Sequence, residues 1–286
     1  MKPVTIEDNL KSATQQLREA NSDSPCIDAS VLLCHALDKP RSYLLTWPEK
    51  TLTQEEQDKF SRAMELRLAG QPIAYITGER EFWSLPLEVS KSTLIPRPDT
   101  ERLVEVSLDL LSNYNGSVLD LGTGTGAIAL AIASERPDLN VLGVDMQPEA
   151  ASLATRNAQK LTIHNATFLC GSWFEPIVQS EHKTFALIVS NPPYIDEKDP
   201  HLQQGDVRFE PSSALVAGEN GLADIRYIAS QAKAYLQPEG WIAFEHGYDQ
   251  GEAVRQLLLQ FGYQDVKTEK DYAGNDRVSI GQKPLE

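Results

Sequence analysis

The stretch SVLDL–GTGTG–AIALAIASE, residues 117–135, constrains this chain more than any other feature. A short apolar run breaks into five residues carrying three glycines, then resumes as a longer, alanine-rich apolar run. A continuous apolar strand that passes through glycines into a helix opens a parallel sheet covered by helices on both faces. The downstream texture repeats that alternation. LNVLGVD (139–145), ATFLC (166–170), FALIVS (185–190) and WIAFEH (241–246) read as strands. Pro148 starts a helix through Ala150, Leu153, Ala154 and Asn157, and further helices are expected around 221–236 and over 250–261. YQDVKTEK and DRVSIGQ, joined by DYAGN, predict a closing hairpin that adds an antiparallel edge to an α/β sheet.

The chain before this region has a different character. Thr5, followed by Glu7 and Asp8, starts an amphipathic helix through Leu10 and Leu17. Pro25 opens a second helix with Ile27, Val31, Leu32 and Cys34 as its apolar positions, and RSYLLTW lies between Pro40 and Pro48. Thr53 and Glu56 form a capping box for a helix through Phe60, Met64 and Leu68 that ends near Gly70. Four short helices in a small bundle are predicted over residues 1–72. Residues 73–98, rich in β-branched and aromatic side chains with Gly78 as a turn, predict a β-hairpin linker, and 99–286 form the second domain.

Charge restricts the partners. Lys and Arg total 26 against 41 Asp and Glu, a net charge of −15. A protein gripping duplex DNA neutralises phosphates with a basic surface, and no basic cluster is present. No apolar run approaches the ~20 residues of a membrane-spanning helix, and the N-terminus lacks the apolar core of a signal peptide. Cys26, Cys34 and Cys170 have no metal-ligand spacing; Cys26 and Cys34 read as small buried apolar residues, in keeping with a reducing, cytoplasmic setting. The histidines at 35, 164, 182, 201 and 246 likewise read as surface or core residues, and no metal is expected.

A glycine turn by itself could hold NAD, a flavin or S-adenosylmethionine, or simply pack. Here the spacing is GxGxG, and Asp120 lies just before Gly122, Thr123, Gly124, Thr125 and Gly126. A carboxylate there repels a pyrophosphate and attracts the cationic amino-acid end of S-adenosylmethionine. Asp145 ends the next strand, where an acid accepts from both ribose hydroxyls; its alternative role is to cap the Pro148 helix. Asn191-Pro192-Pro193-Tyr194 follows FALIVS at the C-terminal end of a strand, where open α/β sheets bind ligands. Two prolines stiffen the loop and leave the Asn191 side-chain oxygen and the Pro192 carbonyl as acceptors. A planar amide or aromatic amine is a poor nucleophile. Two acceptors, one for each N–H, aim its nitrogen and stabilise the charge that grows on attack, with the Tyr194 ring against the planar group.

DLGTGTG, GVD and NPPY together resemble the class I S-adenosylmethionine-dependent methyltransferases of planar nitrogens. PIAYITG, LIPRPDTE, FEP and AGNDR extend the likeness over essentially the whole chain, to the HemK/PrmC family of release factor glutamine-N5 methyltransferases. The resemblance implies a Rossmann-like class I methyltransferase sheet and a helical N-terminal domain that recognises a class 1 release factor. The substrate would be the glutamine of that factor's GGQ loop, methylated by a cytoplasmic, monomeric enzyme with S-adenosylmethionine as cofactor. It further implies that residues 122–126 line the cofactor, Asp145 takes the ribose and Trp173 lies beside the adenine. Arg97 would lie near the cofactor carboxylate with Thr100 and Glu101 close by, and Asn191, Pro192, Pro193 and Tyr194 would hold the glutamine. Ser172 stands where the family often carries an acid. Simpler roles exist for three residues: Trp173 as core packing beside Phe174, Arg97 as a solvated loop charge, and Glu210 as a helix cap rather than part of a peptide groove. The competing functions are glutamine methylation of a ribosomal protein, adenine-N6 methylation of DNA, and cofactor binding without catalysis.

Overall fold

The computed structural model describes residues 4–179 and 183–285, so His182 lies outside the described residues. The chain forms two compact units, one of residues up to Glu79 with Gln203–Phe209, the other of Arg80–Leu202 with Glu210 onward.

The first unit is helical: α1 (Ile6–Glu19), α2 (Pro25–Leu37), α3 (Arg41–Thr46), α4 (Gln54–Leu68) and α5 (Ile73–Thr77). Reciprocal capping boxes close the starts of α1, through Thr5 and Asp8, and of α4, through Thr53 and Glu56. Ile6, Leu17, Leu32, Leu33, Phe60 and Met64 form its core. The buried stripe of α2 differs from the expected one. Ala29, Leu32, Leu33 and Ala36 face inward, while Ile27 is 57% exposed and Val31 37%. The inward face also carries Asp28, which the pattern of apolar residues could not include. Its carboxylate accepts from Arg67 Nε at 2.8 Å and from the hydroxyls of Ser22 and Ser24 at 2.9 Å each. A neutralised acid can be buried, so the helix turns about its axis relative to the apolar count. Cys26 is therefore exposed and Cys34 only partly buried, not core residues as expected. Arg67 Nη1 also donates to Asp206 at 3.1 Å, fixing the 203–209 segment within this unit.

Residues 73–77 form α5, not the first arm of the predicted hairpin. Pro72 opens this turn, Gly78 N–H closes it onto the Ala74 carbonyl, and Ile73 and Ile76 pack on the helical core. Burial outweighs their strand propensity. The hairpin is shorter, β1 (Glu79–Phe82) and β2 (Leu85–Glu88).

The second unit also holds α6 (Glu101–Leu110), β3 (Ser117–Leu121), α7 (Ala127–Glu135), β4 (Asn140–Asp145), α8 (Pro148–Leu161), β5 (Ala166–Cys170) and β6 (Phe185–Ser190). After these come α9 (Gly218–Gly221), α10 (Ala223–Ala232), β7 (Leu236–Glu245), α11 (Gly251–Gln260), β8 (Gln264–Lys270) and β9 (Asp276–Gln282). The sheet order is β5-β4-β3-β6-β7-β9-β8. β3 pairs in parallel with β4 on one side and β6 on the other, so the chain reverses its direction of winding there. A crevice opens at the carboxyl ends of strands flanking such a switch point. β9 is antiparallel to both β7 and β8, which leaves β8 as the edge strand. Two apolar layers cover the sheet. One is centred on Val118, Leu130, Ile132 and Leu187, the other on Leu119, Ile188, Ile228 and Phe244. α10 is shorter at both ends than the predicted 221–236 helix. Glu219, Asn220 and Gly221 have positive φ before it, and β7 already starts at Leu236 behind it.

Candidate active site

A cavity of about 330 Å³ lies at the carboxyl ends of β3, β4 and β6. Gly122, Thr123, Gly124, Thr125, Asp145, Ser172, Trp173, Asn191, Pro193, Arg97 and Thr100 all line it. Along the sequence these residues lie in five separate segments, and the switch point brings them together. Gly126, Asp120, Pro192, Tyr194 and Glu210 are not on its wall.

The glycine turn is held by its own neighbourhood. Gly122 and Thr123 N–H groups both donate to the Val144 carbonyl, at 2.9 and 3.0 Å. Asp145 accepts from Gly124 N–H and from Gln147 N–H, each at 2.9 Å. The strand-end acid thus organises both the turn and the approach to α8, with lone pairs to spare on each oxygen. Burial raises its pKa, and the two backbone donors draw it back. Asp120 lies beneath the turn, fully buried, where Thr123 donates to Oδ2 at 2.6 Å while Oδ1 has no partner. Burial pushes its carboxyl up to about 7. The expected direct contact between Asp120 and a ligand is corrected accordingly: the acid sits under the wall, because its strand position points into the sheet's packed face. Asn157, taken from the sequence as one more residue of a helix face, is a wholly buried amide. It donates to the carbonyls of Thr125 and Glu88 and accepts from Glu88 N–H at 2.7 Å, joining the turn to the hairpin.

Trp173 and Phe174 diverge. Trp173, with φ 46°, lines the cavity, whereas Phe174 stacks on Tyr235 at 4.5 Å inside the core. Arg97 is not a free loop charge. It pairs with Glu210, whose side chain is fully buried and also accepts from Ile95 N–H at 3.3 Å. Glu210 therefore ties the Arg97 segment to the chain that returns from the helical unit, rather than capping a helix.

The 191–194 loop is held from a distance. Ser190 donates to the Leu121 carbonyl at 2.7 Å, fastening the end of β6 to the start of the glycine turn. Asn191 Nδ2 donates to Thr100 Oγ1 at 3.3 Å. The Tyr194 hydroxyl donates to Glu245 Oε1 at 3.3 Å. Gln250 Nε2 donates to the Tyr194 and Asn220 carbonyls at 3.0 Å each. A Cβ on Gly221, whose φ is +82°, would stand 2.0 Å from the Tyr194 carbonyl oxygen. Thr100 and Glu101 were singled out by their segment alone. Glu245 and Gln250 were missed, since nothing local marks an acid at a strand end or a glutamine before a helix. Glu245 is 1% exposed, and burial pushes its carboxyl up to about 7 against the pull of Thr100, Arg277 and Tyr194. Burial and the nearby Glu245 charge raise the Tyr194 phenol above its ordinary value.

The histidines behave as anticipated where they are described. His35, His164 and His201 are exposed. His246 is buried between the Gly247 carbonyl and Ser279 Oγ, and burial lowers its pKa. No group of His, Cys, Asp and Glu suited to a metal ion exists among the described residues.

The chain is similar to known proteins along nearly its whole length. Residues 8–78 fit the family model of the PrmC N-terminal domain, and residues 112–278 that of a methyltransferase domain. Among solved structures, a methyltransferase from Pyrococcus furiosus superposes with a TM-score of 0.51 at 20% identity, covering 78% of this chain and 99% of that one. The likeness is one of fold, the Rossmann-like methyltransferase sheet. The release factor glutamine methyltransferase of Vibrio cholerae is 62% identical over 283 residues, 99% of this chain and 98% of the relative. That of Escherichia coli is 52% identical over 273 residues, 96% and 97% of the two chains. The chain belongs to the release factor glutamine methyltransferase family.

Proposed function

We propose that this enzyme methylates the side-chain amide nitrogen of the glutamine in the GGQ loop of class 1 release factors. As a methyltransferase it uses S-adenosylmethionine, which supplies a methyl carbon made electrophilic by its sulfonium. The cavity suits that molecule. Asp145 keeps acceptor capacity for ribose hydroxyls, Trp173, Met146 and Ile128 offer apolar wall for adenine, and the turn exposes backbone beside a buried acid. Arg97, although paired with Glu210, has donors left for a carboxylate. Ser172 provides only a hydroxyl and its backbone where an acid would bind the adenine amine more strongly.

The observation that carries the reading is that Asn191 and Pro193 share one cavity wall with Gly122–Thr125 and Asp145. In this reading Asn191 Oδ1 and the Pro192 carbonyl each accept one N–H of the glutamine amide and turn its lone pair toward the cavity. Both acceptors strengthen as positive charge develops on nitrogen, which lowers the barrier without a strong base. The nitrogen then sheds one proton to water. Tyr194, tied to Glu245 and Gln250, keeps the loop from relaxing away. Positioning of this kind supplies the acceleration without a strong base to take the amide proton.

The helical unit serves recognition of the release factor in this reading, which the match to the PrmC N-terminal model supports. The net charge of −15 favours a basic protein loop over duplex DNA. The enzyme acts as a monomer in the cytoplasm; no described helix is long and apolar enough to cross a membrane. Incubation of the purified enzyme with a release factor and methyl-labelled S-adenosylmethionine tests the reading. Label is expected on the GGQ glutamine alone, and an unlabelled glutamine overturns it.

A further inference from the structure

Resting on that reading, we propose that the release factor docks on the turn between β8 and β9, with Tyr272 and Tyr248 as its aromatic contacts. The topology sets this turn beside the active site. β6 and β7 run in parallel, with Ser190, just before Asn191, opposite Phe244. β9 is antiparallel to β7, with Glu245 opposite Val278. Residues 271–275 therefore lie at the edge of the sheet where the 191–194 loop begins. The AGNDR stretch, singled out in the sequence, forms this turn and the start of β9, and none of it lines the cavity.

Tyr272 and Tyr248 are the two most exposed Phe, Tyr or Trp side chains among the described residues, at 82% and 69%. The turn that carries Tyr272 is ordered from two sides. Asp271 accepts from the N–H groups of Ala273 and Asn275 at 3.0 and 2.9 Å, and from Arg277 Nη2 at 3.0 Å. The Tyr272 hydroxyl donates to Glu105 on α6, and Arg102 of the same helix donates to the Lys270 carbonyl at 3.0 Å. Arg277 also reaches Asp99 at 3.5 Å, next to Thr100 on the cavity wall. Tyr248 follows three residues after Glu245, which accepts from the Tyr194 hydroxyl. An exposed ring with a fixed hydroxyl offers apolar area and has little rotamer entropy left to lose, as interface anchors do. Neither ring lines the cavity, so both suit the body of a protein substrate and not its glutamine. Charge selects the occupant. Arg102 is engaged by Glu105 and Glu269, and Arg277 by Asp271, while Asp99 and Asp249 are exposed carboxylates. An acidic rim with two tyrosine faces fits a basic protein surface, on which guanidinium groups can stack against the rings. The release factor is the protein whose glutamine enters beside that rim.

The test is steady-state kinetics of the full chain with a purified release factor, on Tyr272→Ala, Tyr248→Ala and the double variant. Each single change is expected to raise KM for the release factor about tenfold, and the pair about thirtyfold or more. At saturation kcat should stay within about twofold, as should Kd for S-adenosylmethionine. Removing exposed side chains should leave Tm within about 2 °C. Tyr248→Phe keeps the ring and should stay within about threefold of the parent KM. An unmoved KM in the double variant overturns the proposal, and so does a fall in kcat at constant KM. Hydrogen exchange gives an independent readout on enzyme loaded with S-adenosylhomocysteine. Saturating release factor is expected to slow exchange at residues 271–275 about fivefold or more. Unchanged exchange there overturns the proposal. Protection that grows with enzyme concentration in the absence of the factor assigns the turn to a second copy of this chain and overturns it too. A parent enzyme that leaves the glutamine unlabelled instead overturns the functional reading beneath it.

Discussion

Two loops bound the same cavity and are built by opposite means. The glycine turn at 122–126 is self-contained. Its shape follows from positive φ at Gly122, Gly124 and Gly126, from hydrogen bonds to the adjoining strand, and from an acid one strand away. The 191–194 loop is stiff within itself but anchored by Thr100 just before α6, Glu245 at the end of β7, Gln250 just before α11 and the bare backbone of Gly221 in α9. A loop that cradles a ligand with backbone groups can be specified by its own few residues. A loop that must aim one side chain at a reacting atom needs supports set by the whole sheet. Changes to the first are therefore expected to alter cofactor affinity, and changes to the second, turnover.

Asn191→Ala is the strongest trial of that division. Removing an acceptor that acts mainly on the developing charge should lower kcat by about 10²–10³, with Kd for S-adenosylmethionine, measured by calorimetry, within about threefold. A parallel loss of cofactor binding would erase the contrast. Next in size is Gly221→Ala, which touches no ligand. The added methyl collides with the Tyr194 carbonyl in a backbone region unfavourable to alanine. Destabilisation of about 2–3 kcal/mol, a fall in Tm of roughly 5–10 °C, should accompany a roughly tenfold loss of kcat below the melting range. Unchanged kcat would mean that the remote anchors do not matter.

Asp145→Asn probes the other loop. Weaker acceptance from the Gly124 and Gln147 amides and from ribose hydroxyls should raise the cofactor Kd about tenfold. At saturating cofactor, kcat should stay within about twofold. The smallest effect concerns Asp120. Its folded pKa of about 7 lies above the ordinary carboxylate range near 4, so the folded state binds this proton more tightly than the unfolded chain. The stability this gives is complete below about pH 4 and is lost as pH rises to about 7. Asp120→Asn removes the dependence and can keep the bond from Thr123. Relative to that variant, the parent Tm should fall by roughly a few degrees between pH 5 and pH 8 in differential scanning calorimetry. Parallel Tm profiles would show that Asp120 is ionised throughout.

Much of the architecture was legible because its determinants are local. β3, α7, β5, β6 and β9 have the predicted limits, since unbroken apolar runs between glycine or proline signals leave few alternatives. Misreadings arose where a distant partner changed a residue's character. Arg67 makes Asp28 buriable and turns α2, so Cys26 faces solvent. The helical core captures Ile73 and Ile76 and removes five residues from the predicted hairpin. Strand β7 begins at Leu236 because Leu236 pairs with Phe185 across an irregularity, where a helix had been expected to continue.

The site divides along the same line. By itself the sequence determined which chemistry is possible: a glycine turn followed by a strand-end acid, and a proline-stiffened asparagine, are composed of neighbouring residues whose spacing carries their meaning. Only the tertiary structure decided that Asp120 lies under the cavity wall, that Arg97 is matched by Glu210, that Asn157 joins hairpin to turn, and that Thr100 receives the Asn191 amide. Hydrogen bonds of that second kind link residues 32 to 113 positions apart. Each depends on burial and direction, quantities that come into existence only when the sheet closes and removes the water that would otherwise satisfy the same groups.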